Sequence, residues 1–443
     1  MGLQSHPLQT TRHELRHNRL MVRVYLYELG APWMGVRVRG EAGTIMATTL
    51  LHPDGLQGSA RRAVLLEGEQ QLAALESEWT GLLADSQAHP VTLSHLWLST
   101  WWHVFGADRQ LRVLLIRDDL DRLLGIAPLL RRATAYKGIV PYVRLELLGT
   151  GEAEEDEIDS DCLDFVVRRG FEANFCQHVL EFLQERDRAD WQELILGPLP
   201  AESPTLAVAH DWGRRAGWDV EEIARRPGSC VHLPRTWGEM LAQVSVKMRA
   251  NIRRDRRRLE RVGKVSFAWT RGREDFERAW PVLVRLHQRR WQHQGRPGCF
   301  ASRKFTAFHE SVGPRLAEKG QARIATLSVD GQVLAARYLF VAGRTVYAYQ
   351  SGWEPTLDRR LAVGRALLGF AIEAAIAEQF ECYDFLKGIG AHKLAWAPRI
   401  YDQVTVRLAR RGWREPLRAG LAWASDRARA LRGPRRIKFT PPS

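Results

Sequence analysis

One carboxylate of the chain lies where its neighbours make a carboxylate costly to bury. Asp384 stands between Tyr383 and Phe385 in the predicted strand CYDFL. A buried carboxylate needs a partner, and we expect Lys393 to be that partner. A desolvated aspartate can accept a proton from an attacking group. A structural ion pair that braces the end of the strand explains the same pattern equally well.

Other candidate site residues lie at the end of the strand TVYAYQSG and on a nearby helix. Tyr349 offers a hydroxyl donor and Gln350 a polar contact for a substrate, although their alternation also fits a half-buried strand. His287 and Trp291 are four residues apart, so they share one helix face and could border a pocket. A histidine on an apolar face is more often a satisfied core residue than a catalyst.

The segment KMRANIRRDRRRLERVG is the strongest charge feature of the sequence. Met248, Ile252, Leu259 and Val262 recur at helical spacing, which predicts a helix with one apolar face. Its other surface is cationic and includes Arg249, Arg253, Arg256 and Arg257. A solvated helix surface is the usual explanation, and a phosphate-rich ligand is the alternative. The acidic segment EAEEDEIDSD could cover that surface or attract a cationic acceptor, or be solvated like most such segments.

Composition limits the class of protein. The 443 residues are 45% hydrophobic and 26% charged, as in globular proteins, and their number favours two or three domains. The net charge of +14 and the pI near 9.9 point to an anionic partner. Five scattered cysteines predict neither a disulfide framework nor a metal site. No run is apolar enough for a spanning helix or a signal peptide, so we expect a cytoplasmic protein.

Two stretches of the chain show the same order of elements. Residues 63–234 are predicted to form helices, a hairpin, a strand, a helix and a strand, with Ser94 capping the second helix. Pro128 is expected to end the second strand of the hairpin. Residues 235–410 repeat the order, with a hairpin turned at Asp330-Gly331. A repeat of this length indicates two related α/β domains rather than a solenoid.

The two ends of the chain do not belong to the repeat. Residues 1–62 show no lasting periodicity and are predicted to be a poorly ordered leader. Residues 411–443 are predicted to form a basic helix and tail, whose apolar positions include Leu417, Leu421 and Ala424. Such a helix could pack back on its own domain, which is the commoner outcome, or contact a membrane surface.

The landmarks of the second half resemble a known family when they are taken in order. They are KMRANIRRDRRRLERVG, LHQRRWQHQG, LSVDGQVLAARYLF, VYAYQSGWEP, AVGRA and DFLKGIGAHKLAW, and the first half adds WLSTWWHVFG and LLGIAPL. Together they resemble the GNAT superfamily, specifically the BioF2-like or CelD-type acetyltransferases, which are related to the FemAB transferases. The resemblance implies an α/β fold of two tandem GNAT-like domains, each a mixed, mostly antiparallel sheet flanked by helices.

The resemblance also implies where an acyl-CoA donor would bind. In that family a helix N-terminus holds the donor pyrophosphate, and Gly364, Arg365 and Ala366 match the small-x-small part of the family loop. Leu361 replaces the usual Arg or Gln, so Arg359, Arg360 and Arg365 are expected to supply the missing charge. The first-half turn RRGFEANF lacks the small pair, so we predict donor binding by the second domain only. Gly364 as a plain packing glycine is the alternative.

The implied activity is acyl transfer from acyl-CoA, such as acetyl-CoA, to an amine or hydroxyl of a sugar or polysaccharide precursor, without a metal. Asp384, Tyr349 and His287 are the catalytic candidates, with Tyr349 as the acid for the departing thiolate. Arg249, Arg253, Arg257, Trp291, Gln350 and Lys393 are the candidates for substrate binding. The FemAB relationship offers a second activity, aminoacyl-tRNA-dependent peptidyl transfer. A non-enzymatic nucleic-acid-binding module ranks last, because no recognition motif accompanies the arginine-rich helix.

Overall fold

The computed structural model describes residues 11–17, 20–29, 33–39, 45–52, 61–185 and 191–431. The helices are α1 (Glu69–Ala74), α2 (Glu76–Ala84), α3 (His95–Phe105), α4 (Glu172–Glu185), α5 (Pro204–Arg215), α6 (Trp237–Gln243), α7 (Val246–Val262), α8 (Gly272–His293), α9 (Arg303–Glu318), α10 (Val363–Ala377), α11 (Ala391–Leu394) and α12 (Arg414–Leu431). The strands are β1 (Thr11–His17), β2 (Leu20–Leu29), β3 (Trp33–Arg39), β4 (Ile45–His52), β5 (Arg61–Leu66), β6 (Gln110–Arg117), β7 (Leu123–Tyr136), β8 (Val140–Leu147), β9 (Val166–Val167), β10 (Glu193–Pro200), β11 (Asp219–His232), β12 (Val265–Trp269), β13 (Ala322–Val329), β14 (Gln332–Ala342), β15 (Thr345–Trp353), β16 (Cys382–Lys387) and β17 (Arg399–Ala409).

The described segments of the predicted leader form strands, which differs from the sequence expectation. β1 to β4 pair antiparallel in chain order, and β4 continues the ladder onto β5. The sequence of β2, LMVRVYLYEL, is rich in β-branched and aromatic residues, which favour strands. Local strand propensity thus outweighs the lack of a lasting periodicity in this part of the chain.

The first unit, residues 63–234, contains the predicted elements in order, together with β8, α5 and β11, which were not predicted. Ser94 caps α3, because its side-chain oxygen accepts a hydrogen bond from the Trp97 amide at 3.2 Å. The hairpin β6–β7 forms, but β7 runs past Pro128 to Tyr136. At Pro128 the neighbour of β7 changes from β9 to β8, and the Pro128 carbonyl accepts from the Leu148 amide at 2.8 Å. Proline has no amide proton to donate, and at Pro128 no such donor is needed because β7 changes its neighbouring strand there. The strand can therefore continue past Pro128.

The second unit, residues 235–410, repeats the order of hairpin, strand, helix and strand. β13 and β14 form the predicted hairpin, and Asp330 and Gly331 occupy its turn with φ angles of 49° and 81°. β15, α10 and β16 follow as predicted. α6 and β17 are additional elements that the sequence analysis did not assign.

The last strands of the two units are exchanged within one continuous sheet. β17, from the end of the second unit, pairs antiparallel with β10 of the first unit. β11, from the end of the first unit, pairs with β16 of the second unit and with β17. β17 therefore lies between β10 and β11 and joins the two units. The chain boundary predicted near Pro234 follows the end of β11 and stays a prediction.

The core also continues from one unit to the other on one face of the sheet. The ring of Trp97 on α3 contacts Phe308 on α9 and Phe340 on β14, with ring centroids 4.8 Å and 5.3 Å apart. The opposite face of the second unit is covered by α7 and α10, which bury Met248, Ile252 and Leu367. This packing positions the first unit against the ends of β15 and β16.

Candidate active site

A cavity of about 600 Å³ opens where the parallel strands β15 and β16 separate. The strands are paired only from Thr345–Cys382 to Tyr347–Asp384, and the cavity begins beyond that point. Its wall is formed by the ends of both strands, the N-terminus of α10, α11, and two residues of the first unit, Asp159 and Asp161. A ligand in this cavity would touch both units.

The N-terminus of α10 faces the cavity without a side-chain cap from the described residues. Its first residue is preceded by Ala362, which adopts the left-handed conformation with φ 48°. A Cβ atom at Gly364 would lie 2.9 Å from the ring of Trp353, so glycine lets the ring approach the helix end. Uncapped amides and the helix dipole favour an anion at this position.

The structure places only some of the predicted donor-loop residues in the cavity wall. Gly364 and Arg365 line the cavity, and the Nε of Arg365 donates to the buried Asp255 at 2.5 Å. Arg360 is exposed, pairs with Asp358 and does not line the cavity, whereas the neighbouring Arg359 does. Ala366 is buried in the helix, where its amide donates to Ala362.

Asp384 lies beside the cavity but is not part of its lining. Its Oδ1 accepts hydrogen bonds from the Leu386 amide at 2.7 Å and the Tyr401 hydroxyl at 2.9 Å. Burial raises the pKa of Asp384 to about 6. The predicted pairing with Lys393 is wrong: the Nζ of Lys393 donates to the carbonyls of Phe385 and Lys387, at 2.8 Å and 2.6 Å. Lys393 itself lines the cavity, and its substrate role stays a prediction.

Tyr349 and Gln350 line the cavity, as the strand position suggested. The Tyr349 hydroxyl donates to the Ile158 carbonyl and lies 3.0 Å from Nε2 of His309. Burial raises the pKa of Tyr349 well above its usual value, so the phenol stays protonated. The Tyr349 hydroxyl thus already bonds to the first unit, and its role as an acid stays a prediction.

His287 and Trp291 share a helix face, as their spacing predicted, but neither lines the cavity. The indole Nε1 of Trp291 donates to Nε2 of His287 at 2.8 Å. The Nδ1 of His287 therefore carries the proton and faces Oε1 of Gln288 at 3.1 Å. Burial lowers the pKa of His287 to about 4, so the ring is neutral. This environment is that of a satisfied core histidine.

The arginine-rich helix α7 lies next to the donor loop but outside the cavity. Met248, Ile252 and Leu259 are buried as predicted, whereas Val262 at the C-terminal end is 56% exposed. Arg249, Arg253 and Arg257 do not line the cavity, and Arg253 and Arg257 are exposed. Arg256 packs on Phe370 and pairs with Glu373. Arg258 donates to the Arg360 carbonyl at 3.0 Å, which brings α7 to the loop.

The most important residues that the sequence analysis missed come from the acidic segment of the first unit. Asp159 accepts a hydrogen bond from Lys387 Nζ, and burial raises the pKa of Asp159 to about 6. Asp161 is 5% exposed, and its two oxygens face Nε2 of Gln403 at 3.0 Å and the Lys387 amide at 3.4 Å. The segment was correctly noted as acidic, but its position against β16 is set by tertiary packing.

A second cavity of about 380 Å³ adjoins the first and shares Asp159 and Asp161 with it. It occupies the corresponding position in the first unit, where the parallel pair β8–β10 ends at Ile195 and Glu146. Glu152 also lines it, and burial raises the pKa of Glu152 to about 7. Arg132, Arg144 and Arg226 line it as well, and donor binding by the second unit stays a prediction.

The comparison with family models finds one match, which lies in the second unit. Residues 246–394, about a third of the chain, match the acetyltransferase (GNAT) domain. This part of the chain is similar to that family. The finer BioF2-like or CelD subtype stays a prediction. No curated protein matches the chain.

The chain is similar to several solved structures at low sequence identity, and FemX shares its fold. FemX superposes with a TM-score of 0.52 at 11% identity, over 77% of this chain and 97% of FemX. L-PGS from Bacillus licheniformis gives 0.46 at 13% identity, over 79% of this chain and 95% of the other. A tandem GNAT protein from the clavulanic acid biosynthesis pathway gives 0.40 at 15% identity, over 79% and 98%. The predicted α/β fold with GNAT-like units is confirmed.

Proposed function

We propose that the protein transfers an acyl group from a coenzyme A ester to an amine or hydroxyl of an acceptor. The observation that carries the proposal is the cavity at the separation of β15 and β16, which an uncapped helix N-terminus and buried carboxylates border together. A sugar or polysaccharide precursor is the acceptor that the family resemblance favours. Its binding would use the acid-lined second cavity, which meets the first at Asp159 and Asp161.

The donor fits the residues at the helix end. The amides at the start of α10 and the guanidinium of Arg359 would hold the phosphates, and the thioester would lie along β15 toward Asp159. The coenzyme supplies an activated acyl group. The acceptor nucleophile attacks the thioester carbonyl, its proton passes to a carboxylate, the C–S bond breaks and the thiolate leaves.

A covalent enzyme intermediate is disfavoured because no cysteine is among the described residues that line the first cavity. Burial raises the pKa of Cys299 to about 12, and the pKa of Cys162 rises well above its usual value. Thiols at such pKa values supply almost no thiolate near neutral pH. Direct attack by the acceptor is therefore the mechanism that we propose.

We expect Gly364→Ala to weaken acetyl-CoA binding at least about tenfold, equivalent to about 1.4 kcal/mol. The new methyl group would meet the Trp353 ring at 2.9 Å and displace it at the mouth of the donor site. Isothermal titration calorimetry measures the change. Gly369→Ala in the same helix is the matched control, because its Cβ would lie 3.9 Å from Trp396. Equal affinities of the two variants would refute the placement of the donor.

Aminoacyl-tRNA is the alternative donor, and one observation favours it. The exposed arginines of α7, including Arg253 and Arg257, stand beside the loop that opens the cavity. A long polyanion could extend from the cavity across this surface. Charge reversal at Arg253 and Arg257 separates the two donors. It should leave acetyl-CoA binding unchanged under the main proposal and abolish tRNA binding under the alternative.

We also propose that α12 contacts a membrane surface, an outcome that the sequence left open. The helix is attached to the protein through polar groups: Glu415 pairs with Arg407, Arg418 with Glu221, and the Arg414 guanidinium donates to the Pro141 carbonyl. Leu417 and Trp423 on the helix and Trp413 just before it are nevertheless 52%, 63% and 58% exposed, whereas Leu421 is half-buried. The helix therefore lies against its own domain, the commoner of the two outcomes expected from sequence, and still exposes part of its apolar surface.

Charge makes an anionic lipid surface the occupant that we propose for this face. The following residues 432–443 contain four basic side chains and no acid in their sequence. Tryptophan at an interface combined with nearby cations is typical of helices that lie on anionic bilayers. None of the helices in the described ranges combines the length and apolar character needed to cross a membrane.

We expect the protein to sediment with vesicles of phosphatidylglycerol and phosphatidylcholine, and less with phosphatidylcholine alone. Replacing Trp413 and Trp423 by Ser should raise the half-saturating lipid concentration at least about tenfold. Leu120→Ser is the control, since Leu120 is 69% exposed at the opposite end of β7. If the double variant binds vesicles as well as wild type does, the proposal is contradicted. It is also contradicted if the two substitutions only abolish self-association of the protein, because the exposed face would then bind a second copy.

A further inference from the structure

The carboxylates that line the 600 Å³ cavity have partners, whereas two of the arginines that line it have no carboxylate partner among the described residues. Four carboxylates line it, and each has a donor partner among the described residues: Asp159 with Lys387, Asp161 with Gln403, Glu354 with Arg289, and Asp358 with Arg360. Arg290 and Arg337 also line it, and in the described part of the chain neither has a carboxylate within ion-pair distance. The cavity therefore contains positive charge that the protein leaves uncompensated.

Arg290 is held in place by contacts that leave its charge unmatched. Its Nη1 donates to the Ser351 carbonyl at 3.0 Å, and its guanidinium lies 3.8 Å from the ring centroid of Trp353. Its Nε is buried and has no hydrogen-bond partner among the described residues. Burial and the proximity of Arg337 lower the pKa of Arg290 to about 10. A guanidinium stacked and oriented in this way is ready to receive an oxyanion.

Arg337 reaches the same position from the sheet. It is the cross-strand partner of Ser351, whose carbonyl Arg290 contacts. Its Nε is likewise buried without a partner in the described residues. Burial and then Arg337 lower the pKa of Lys393 to about 8, and the pKa of His392 is lowered as well. Cations from α8, β14 and α11 thus repel one another across one part of the cavity.

We propose that Arg290 and Arg337 form a binding site for a phosphate-type oxyanion inside the cavity. Two arginines offer forked donors that match the oxygens of a phosphate, and an anion between them would remove their mutual repulsion. This inference adds a binding site to the proposed acyl transfer. Only the identity of the bound anion rests on that proposed function. The anion is either the pyrophosphate of the donor or an anionic group of the acceptor.

Inorganic pyrophosphate is the probe for this site. Calorimetry on the full chain should detect its binding, and Arg290→Gln and Arg337→Gln should each weaken it at least tenfold. Arg278→Gln is the matched control, because Arg278 lies on the same helix as Arg290 but is 69% exposed and pairs with Asp275. If Arg337→Gln does not fold, Arg337→Lys tests the same site. Lysine retains a positive charge, so this variant should keep part of the affinity for pyrophosphate.

Titration of the protein saturated with coenzyme A distinguishes the two sources. If coenzyme A excludes pyrophosphate and both bind more weakly to the arginine variants, the anion belongs to the donor. If pyrophosphate still binds to the saturated protein, the anion belongs to the acceptor. Pyrophosphate binding that needs both arginines, in a protein that binds no coenzyme A ester, keeps the site and refutes the proposed donor. Equal affinity for pyrophosphate in wild type and both Gln variants, or no binding by wild type, overturns the inference.

Discussion

Asp159→Asn is expected to lower kcat by about 10²–10⁴, the usual size of general-base catalysis. Asp159 is one of the two carboxylates at the junction of the cavities, where an acceptor from one would meet a thioester in the other, and it is less buried than Asp161. Burial raises its pKa to about 6, so it is ionised at neutral pH and basic enough to take a proton. Asparagine keeps the shape of the side chain but cannot accept the proton.

Asp384→Asn is the matched control for this result, because burial raises the pKa of Asp384 to about 6 as well. Asp384 faces Tyr401 and the Leu386 amide beside the cavity. Its substitution should leave kcat within about threefold of wild type if Asp159 is the base. Normal turnover of a folded Asp159→Asn protein together with a large loss for Asp384→Asn would restore the assignment made from sequence.

The pH dependence of turnover follows from the same pKa. The base works only when ionised, so kcat/KM should fall as the pH drops below about 6 and reach a plateau above it. In Asp159→Asn the residual activity should lose this acidic limb. A pH–rate profile of both proteins shows whether the limb belongs to Asp159.

Local signals in the sequence predicted local structure correctly. The capping oxygen of Ser94 and the Asp330-Gly331 turn depend on residues a few positions apart, and both appear as predicted. The small-x-small opening of α10 likewise placed Gly364 at the cavity. Side-chain type and spacing suffice where the partner groups are neighbours in the chain.

The remainder of the site depends on partners that are far apart in sequence. Asp159 meets Lys387 across 228 positions, so the acidic segment gave no sign that it enters the second unit. Arg337 lies in the hairpin strand β14, and nothing in the sequence of that strand indicates a binding residue. Its position in the cavity wall, without a carboxylate partner among the described residues, is known only from the structure. The strand exchange was not predicted either. Val404, Val406 and Leu408 alternate with polar residues as in a strand, but the alternation does not show that β17 pairs with strands of both units.

The exchanged strand carries a buried ion pair whose loss should be the largest single effect on stability. Nε of Arg407 on β17 donates to Oε2 of Glu193 on β10 at 2.6 Å, and the two side chains are 3% and 2% exposed. Arg407 also contacts Glu415 at the start of α12. Arg407→Met removes the partner that the two carboxylates share, and leaves Glu193 with Arg144 at 2.7 Å and Glu415 with the Tyr142 hydroxyl at 3.0 Å. Breaking a buried pair in this way costs about 3–5 kcal/mol.

Urea unfolding measures this loss, and Arg411→Met is the control from just beyond the end of the same strand. Arg411 pairs with Asp219, but their side chains are 70% and 42% exposed, so its removal should cost less than about 1 kcal/mol. Because β17 lies between β10 and β11, the loss at Arg407 should shift the unfolding of both units together. A loss below 1 kcal/mol in Arg407→Met, or a shift confined to one of two transitions, would show that the exchanged strand does not couple the units.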